Sequence, residues 1–150
     1  MPDPTSAAPR HDERPDDGPD SLAPDGADQP TVTDLADLVG EWTTVPDVAQ
    51  RLDVSLARVR QYLADRHLLS LRVGQRNVVS IPAKFVTDEG PRPELKGTFT
   101  VLADGGMRDE EILRWLFTPD ETLPVDGAPI DNLIAGHKTE VRRRAQATAF

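Results

Sequence analysis

The sequence contains no cysteine among its 150 residues. Disulfide bonds, thiolate metal sites and cysteine nucleophiles are therefore excluded. Histidine is also scarce: His11, His67 and His137 lie far apart and form no pair with the spacing of metal ligands. The chain lacks an apolar run of about 18 residues, which predicts no transmembrane helix. Its acidic, proline-rich beginning has no apolar core, so no secretory signal is expected.

Motifs of catalysis are missing as well. The chain has no phosphate-binding loop of the GxxxxGK type and no recognisable set of Ser, His and Asp. Its acid pairs, Asp16-Asp17 and Glu110-Glu111, fall in the N-terminal segment and at the start of a predicted helix. We therefore predict a protein that is not an enzyme and has no cofactor or metal site. The lack of cysteine fits a cytoplasmic location.

The formal net charge of −9 is unevenly distributed. Residues 1–30 carry −6 and residues 85–136 carry −7, whereas residues 137–150 carry +3. Residues 44–84 hold seven lysines and arginines against three aspartates, a local charge of +4. This local charge, rather than the total, bears on the choice of partner.

Composition divides the chain into three parts. Residues 1–30 contain seven of the fourteen prolines and almost no large aliphatic residues, which predicts a disordered tail because little surface can be buried to offset the ordering entropy. Residues 31–86 are predicted to form a winged helix-turn-helix unit, and residues 87–150 a helical C-terminal extension packed on it. The predicted fold class is mainly α, with a small β-hairpin as the wing.

A helix-turn-helix pattern occupies the start of the basic segment. Thr44 is typical of an N-cap for a first helix that ends near Leu52, and Asp53-Val54-Ser55 reads as the turn. The second helix is predicted over residues 56–63, and another, short helix over residues 34–39 should precede the unit, capped by Thr33 and stopped by Gly40. Helical spacing places four residues of the second helix toward the core: Leu56, Val59, Tyr62 and Leu63.

The opposite face of the second helix carries groups that can bind DNA. Arginine and glutamine supply the forked or amide donors that contact phosphates and read base edges. An ordinary solvated helix face is the plainer interpretation, but the local positive charge and the following hairpin favour DNA. The candidate residues on this helix are Ser55, Arg58, Arg60 and Gln61.

A hairpin is predicted between strand-like residues 71–73 and 78–81. Gly74 and Asn77 at its bend tolerate positive φ. As the wing, the hairpin would direct polar side chains toward the minor groove or the flanking phosphates. These candidate side chains are Arg72, Gln75, Arg76 and Asn77.

The remainder of the chain is predicted to be helical. The pattern indicates helices over 95–102, from Asp109 through Phe117, over 130–135 and over 137–149. The cluster Trp115–Phe117 is interpreted as core, with a partner interface as its alternative. The run Arg142–Arg144 is interpreted as complementing a helix dipole, with added phosphate contacts as its alternative.

Two segments show a family resemblance. The run Leu102–Asp120, which contains DGG…RWLFTPD, and the closing run Glu140–Ala147 resemble a small actinobacterial family of winged helix-turn-helix DNA-binding proteins. The mycobacterial member of that family is regulated by a membrane Ser/Thr kinase. The resemblance covers about residues 31–150. It implies DNA binding through the winged unit and a phosphoacceptor threonine in the N-terminal tail, for which Thr5 is the nearest candidate.

The winged unit also resembles the DNA-binding domains of excisionases and of the MerR group. The effector domain and long dimerising helix of full MerR regulators are absent. The segment from Leu116 to Ala145 is weakly similar to the C-terminal domain of certain antitoxins, which implies a protein partner. We therefore expect a monomeric, cytoplasmic, nucleoid-located protein that binds double-stranded DNA. The alternatives are a dimer through residues 130–150 and an antitoxin-like or adaptor protein that binds a protein partner through its C-terminal helices.

Overall fold

The computed structural model describes residues 32–149, and over this range the chain has the mainly α, winged helix-turn-helix fold that the sequence predicts. The predicted tail and Thr5 lie outside the described residues. Seven α-helices occur in the described range: α1 (Val32–Val39), α2 (Val45–Leu52), α3 (Leu56–Ala64), α4 (Pro93–Asp104), α5 (Asp109–Phe117), α6 (Pro129–Ile134) and α7 (Lys138–Ala149). The strands of the same range are β1 (Trp42–Thr44), β2 (Leu71–Val73), β3 (Val78–Pro82), β4 (Val86–Thr87) and β5 (Gly90–Pro91), and a 3-10 helix covers Ala83–Phe85.

Helix α1 ends as the sequence predicts. Gly40 has a φ of +82°, in the left-handed region that favours glycine, and its N–H donates to the Ala36 carbonyl at 3.0 Å. The predicted cap Thr33 is wrong, because the helix already begins at Val32 and Thr33 lies inside it. Trp42 fastens the following segment by donating from Nε1 to the same Ala36 carbonyl at 3.1 Å.

The first helix of the motif begins and ends through local hydrogen bonds. Thr44 is its N-cap, as predicted: Thr44 Oγ1 accepts the Asp47 N–H at 3.2 Å. At the other end Asp53 takes the left-handed conformation, with φ 57° and ψ 50°, and its N–H donates to the Gln50 carbonyl. Aspartate is among the few residues that visit this conformation at modest cost. The turn over Asp53-Val54-Ser55 is therefore confirmed.

The sheet has one strand more than the predicted hairpin. Strand β3 is central and pairs antiparallel with β2 on one side and β1 on the other. Trp42 lies opposite Pro82 in this register, and Thr44 lies opposite Ser80. Strand β1 was missed because its three residues are too few to show alternation, and a distant strand provides its pairing. The wing is therefore joined by hydrogen bonds to the segment that leads into α2.

The connection to the C-terminal helices contains two short strands that the sequence analysis did not predict. Strands β4 and β5 form a small hairpin, with Thr87 opposite Gly90. Thr87 Oγ1 donates to the Gly90 carbonyl at 3.0 Å and accepts the Glu89 N–H at 3.1 Å. Two-residue strands held by one threonine hydroxyl leave no periodic pattern in the sequence.

The four predicted C-terminal helices are all present; α5 has the predicted bounds, and the other three have at least one shifted end. The helix predicted over 95–102 is longer and begins at Pro93, a residue favoured in a first helical turn. Its threonines fit the helix because Thr98 Oγ1 donates to the Glu94 carbonyl and Thr100 Oγ1 to the Lys96 carbonyl, one turn back. Two other helices are displaced by one residue: α6 begins at 129 rather than 130, and α7 begins at 138 rather than 137.

One hydrophobic core joins the winged unit to the C-terminal helices. Phe85, at the end of the 3-10 helix, is fully buried, and its ring centre lies 5.4 Å from that of Phe99 in α4 and 5.8 Å from that of Phe117 in α5. Helix α1 also packs on α5. Val32–Phe150 forms one compact unit. The core is therefore continuous across the predicted division at 86/87.

Candidate nucleic-acid interface

Ser55 fixes where α3, the second helix of the motif, begins. Its φ of −74° and ψ of 160° are extended, and Ser55 Oγ accepts the Arg58 N–H at 3.0 Å. This is the hydrogen bond of an N-cap, which satisfies one of the amide groups left free at a helix start. Ser55 therefore fixes the residue at which the helix begins, and its hydroxyl group can still donate a hydrogen bond to a ligand.

The outward face of α3 is polar, as predicted. Val59 is fully buried, whereas Arg58, Arg60 and Gln61 are exposed. At 3.6 residues per turn, Ala57 and Gln61 lie near the middle of the outward face, and the two arginines lie on its opposite edges. The helix can thus present small and amide side chains at its centre with a cation on either side.

The predicted core face of α3 needs one correction. Val59 is buried, and Tyr62 and Leu63 are half-buried, but Leu56 is 43% exposed. Leu56 is the first residue of the helix, where the neighbouring elements leave it uncovered despite its correct spacing. The surface beside the arginines therefore includes an exposed leucine, which periodicity alone assigned to the core.

Two side chains of the outward face are held by neighbours one turn away. The Arg58 guanidinium carbon lies 5.5 Å from the centre of the Tyr62 ring, within the range of a cation–π interaction. Gln61 Nε2 donates to Asp65 Oδ1 at 2.9 Å. Half-buried Tyr62 and exposed Asp65 therefore influence the conformations of Arg58 and Gln61.

Arg60 faces a groove that the sequence did not reveal. This open groove has a volume of about 360 Å³ and lies between the start of α2, helix α3 and the wing. Its other lining residues are Thr44, Val45, Pro46, Leu63, Val78 and Val79. Val78 is 43% exposed. The wing and α3 therefore border one continuous surface.

The wing has the bend that the sequence predicts. Gly74 has a φ of +81° and Asn77 a φ of +53°, and the Asn77 N–H donates to the Gly74 carbonyl at 3.1 Å. Arg72 spans the hairpin, because its guanidinium donates to the Asn77 carbonyl at 3.2 Å. Gln75 and Arg76 are exposed at the tip. The four predicted wing residues are thus gathered at one end of the hairpin.

The seven cations of residues 44–84 fall into two groups. Three form ion pairs with acids of the C-terminal half: Arg51 with Asp88 at 2.9 Å, Arg66 with Asp109 at 2.8 Å and Lys84 with Asp131 at 2.7 Å. The other four have no ion pair within residues 32–149, and these are Arg58, Arg60, Arg72 and Arg76. The unpaired positive charge of this segment is therefore confined to α3 and the wing, a division that the sequence alone could not show.

The aromatic cluster of α5 is mainly core. Leu116 is fully buried and Phe117 nearly so, while Trp115 is half-buried and donates from Nε1 to Thr148 Oγ1 at 3.3 Å.

Among residues 32–149, no group of three or more acids and histidines is arranged to hold a metal ion. No helix in that range is long and apolar enough to cross a membrane.

Two helices joined by a three-residue turn, with a hairpin bordering the second helix, define the winged helix-turn-helix class. Comparison with protein families agrees with this class for the winged unit and matches the C-terminal helices to a second domain of the same family. Residues 29–86 match the model described as DNA-binding protein Rv2175c, wHTH domain, and residues 93–149 match the Rv2175c C-terminal domain of unknown function. The chain belongs to the Rv2175c family.

Individual relatives agree with the family match. The chain is 43% identical over 117 residues to DNA-binding protein Rv2175c of Mycobacterium tuberculosis, covering 71% of this chain and 79% of the relative. An NMR structure of Rv2175c superposes with a TM-score of 0.67 at 39% identity, covering 73% of this chain and 82% of the other. The resemblance to a family of winged helix-turn-helix DNA-binding proteins, which the sequence suggested, is confirmed.

Proposed function

We propose that this protein binds double-stranded DNA, with α3 in the major groove and the wing against the neighbouring backbone. The observation that carries the proposal is the surface of four unpaired arginines on α3 and the wing, in a chain whose formal net charge is −9. The name of the mycobacterial relative, a DNA-binding protein, supports the same function. In winged helix-turn-helix proteins the second helix commonly lies in the major groove.

Each candidate residue has a role that follows from its position. Gln61, near the middle of the outward face, is placed to read a base edge, for which adenine offers a matching donor and acceptor pair. Arg58 and Arg60, at the two edges, are placed to read bases or to bind phosphates on either side of the groove. Ser55 can donate its hydroxyl hydrogen to a phosphate near the helix start.

The wing would add contacts outside the major groove. Arg72 and Arg76 carry the charge for phosphate or minor-groove contacts, and Gln75 and Asn77 supply amide groups beside them. Four to six phosphate contacts in total would give a slope of about −4 to −5 for log affinity against log salt.

A titration of labelled duplex DNA by fluorescence anisotropy tests the proposal. The full chain is compared with an Arg58→Ala, Arg76→Ala variant at low and physiological salt. An Arg108→Ala, Arg114→Ala variant removes the same charge from the C-terminal half and is the matched control. We expect salt-sensitive binding that the first variant loses and the control keeps. A flat salt response, or equal losses in both variants, would contradict DNA binding through this surface.

At the level of the cell, we propose a role in transcriptional regulation or nucleoid-associated control, in the cytoplasm and as a monomer. Phosphorylation of the N-terminal tail by a Ser/Thr kinase is proposed as the control, with Thr5 as the candidate acceptor. A phosphate would add nearly two negative charges to a segment that already carries −6, which favours competition with DNA for the arginines.

The control has its own test. A Thr5→Glu variant should bind DNA more weakly than the wild type, a Thr5→Ala variant should bind equally, and deletion of residues 1–30 should not weaken binding. Unchanged affinity in both the Thr5→Glu variant and the deletion would remove the tail from the mechanism.

An antitoxin-like or adaptor function through the C-terminal helices receives less support. Its natural anchor, the aromatic cluster of α5, is used in the core, since Leu116 is fully buried and Phe117 is only 6% exposed. Purification of a stoichiometric protein partner that remains bound to the Arg58→Ala, Arg76→Ala variant would favour this alternative.

A further inference from the structure

A second basic surface lies on the C-terminal helix, outside the winged unit. It is an open groove of about 330 Å³ along one side of α7. We call it the α7 basic groove, and its lining residues are Lys138, Thr139, Arg142, Arg143 and Gln146. The family description gives this half of the chain no function.

The arginines of α7 are not equivalent. Arg144 serves the fold: it donates to the Thr122 carbonyl at 3.0 Å and lies 3.5 Å from Glu140. Arg143 pairs with Glu140 at 2.8 Å. Lys138 and Arg142 have no ion pair anywhere in residues 32–149. The groove therefore contains two cations whose charge no acid in the described part of the chain neutralises.

The Arg142 guanidinium lies against Gly97 of the facing helix α4. A Cβ atom built on Gly97 would overlap the guanidinium, so a side chain at this position would displace it from its present place. Arg142 Nε is buried and has no hydrogen-bond acceptor among the described residues. Buried donors are nearly always satisfied, so the half-buried Arg142 side chain lacks a partner that either an anionic ligand or Glu94 could supply.

The competing interpretation of Arg142 is structural. Glu94 lies one turn before Gly97 on the same side of α4, and its Oε1 is also buried without a hydrogen-bond partner. Glu94 and Arg142 do not form an ion pair in the structure. A rearrangement that joins them would give Arg142 a role in packing α4 on α7, so the experiment must separate the two roles.

The donors of the groove match a phosphate. An arginine fork, a lysine, a threonine hydroxyl and a glutamine amide are the groups that contact DNA phosphates in protein complexes. We propose that the α7 basic groove binds phosphodiester groups of the duplex held by α3, beyond the segment that the winged unit covers. This inference depends on the proposed DNA binding. A unit of this length has a radius of gyration of about 13 Å, so its full width is comparable to one turn of duplex, and a duplex that extends beyond α3 is long enough to reach α7.

The test uses the full chain and duplexes of two lengths, about one helical turn and about three. A Lys138→Gln, Arg142→Gln variant removes the two unpaired charges of the groove. An Arg108→Gln, Arg114→Gln variant, called the α5 variant, removes the same charge from Arg108, directly before α5, and from Arg114 within it. On the long duplex, the groove variant should lose several-fold in affinity, and its salt slope should become shallower by about 1 to 2, near 0.9 for each lost phosphate contact. On the short duplex it should equal the wild type, and the α5 variant should equal the wild type on both.

Several results would overturn the inference. One is a groove variant with the affinity and salt slope of the wild type on the long duplex. Another is an equal loss of affinity by this variant on both duplex lengths. A loss that disappears when residues 1–30 are deleted would instead assign the groove to the acidic tail. A complex with two duplexes per chain would assign it to bridging. If the Arg58→Ala, Arg76→Ala variant binds DNA as tightly as the wild type, the proposed function itself is contradicted.

Folding is controlled separately. Thermal unfolding of the groove variant and of a Glu94→Gln variant shows whether Arg142 acts in packing. If both are destabilised and the salt slope is unchanged, the structural role is correct. The single variant Lys138→Gln alters only an exposed side chain. It should still reduce the slope by about 1 on the long duplex, and an unchanged slope would overturn the inference without any question of folding.

Discussion

The Arg58 guanidinium lies 5.5 Å from the centre of the Tyr62 ring, one turn along the same helix. The ring also meets His67 edge-on, with 6.2 Å between the centres, so it is held from its other side by the turn that follows α3. A proposed DNA-contacting arginine is thus restrained before any ligand arrives. Restraint of this kind lowers the entropy that binding must overcome.

Replacing Tyr62 by leucine should weaken DNA binding although the residue need not touch DNA. The cation–π interaction contributes about 0.5–1 kcal/mol at exposed sites, so we expect about a two- to five-fold loss of affinity. Tyr62→Phe keeps the ring and should bind as the wild type does. Anisotropy titrations measure both, with thermal unfolding as the check on folding. A Phe variant as weak as the Leu variant would show that the ring face is not the cause.

Removing the charge of Asp65 should strengthen DNA binding. Its carboxylate accepts from Gln61 at 2.9 Å and places a negative charge beside the proposed interface. Asp65→Asn keeps an acceptor for Gln61 but removes the charge, which should raise affinity about two- to five-fold at low salt, the scale of an exposed charge interaction. Asp65→Ala removes both the charge and the acceptor of the Gln61 hydrogen bond. An unchanged affinity in the Asn variant would place this end of α3 away from the DNA.

Replacing Asn132 by alanine should destabilise the fold strongly. The residue is fully buried in α6; its Oδ1 accepts the Val125 N–H at 2.9 Å, and its Nδ2 donates to the Val125 and Ala128 carbonyls at 3.0 and 3.1 Å. Alanine leaves the Val125 N–H and carbonyl without these partners, whereas the Ala128 carbonyl keeps the Asn132 N–H; we expect a loss of about 2–4 kcal/mol in the free energy of unfolding. Urea denaturation measures it, with the exposed Gln50→Ala as control. A loss no larger than that of the control would contradict this role for the amide.

Acid should weaken the fold partly through Asp131. Burial alone would raise its pKa, but hydrogen bonds from Lys84 Nζ at 2.7 Å and the Ala128 N–H at 2.9 Å hold the pKa below its usual value of 3.8. A carboxyl with a lowered folded-state pKa stabilises the protein above its unfolded pKa, and this stability is lost as the pH falls through the folded-state pKa.

The variant Asp131→Asn should therefore be less stable than the wild type near pH 7 and lose less stability on acidification. Urea unfolding at several values between about pH 6 and pH 3 measures both effects. Asp88→Asn is the matched control, because the Asp88 side chain is 89% exposed in its ion pair with Arg51. Parallel pH profiles for Asp131→Asn and the wild type would contradict the assignment.

Local signals in the sequence predicted most of the winged unit. Thr44 is an N-cap as predicted, Asp53-Val54-Ser55 forms the predicted turn, and Gly74 and Asn77 have the positive φ expected at the wing bend. Each of these features depends on residues within four positions of one another. Such features can be predicted without knowing the fold.

Features that depend on distant residues were missed or misplaced. Strand β1 exists because β3 pairs with it, and Leu56 is exposed because no other element covers the start of α3. The ion pairs of Arg51 and Arg66 with acids far along the chain likewise decide which cations stay unpaired. The sequence marked the correct segment for the interface, but it could not tell the structural arginines from those available to a ligand.

The Phe85 ring sits where the wing ends and the C-terminal helices begin, touching Phe99 and Phe117. A gene fragment that stops after codon 86 would encode this ring without either of its neighbours. Its product would expose an apolar surface and be prone to aggregation and degradation. During evolution, recombination near this point would therefore be selected against. The two halves are expected to be inherited together, even where only the first half meets DNA.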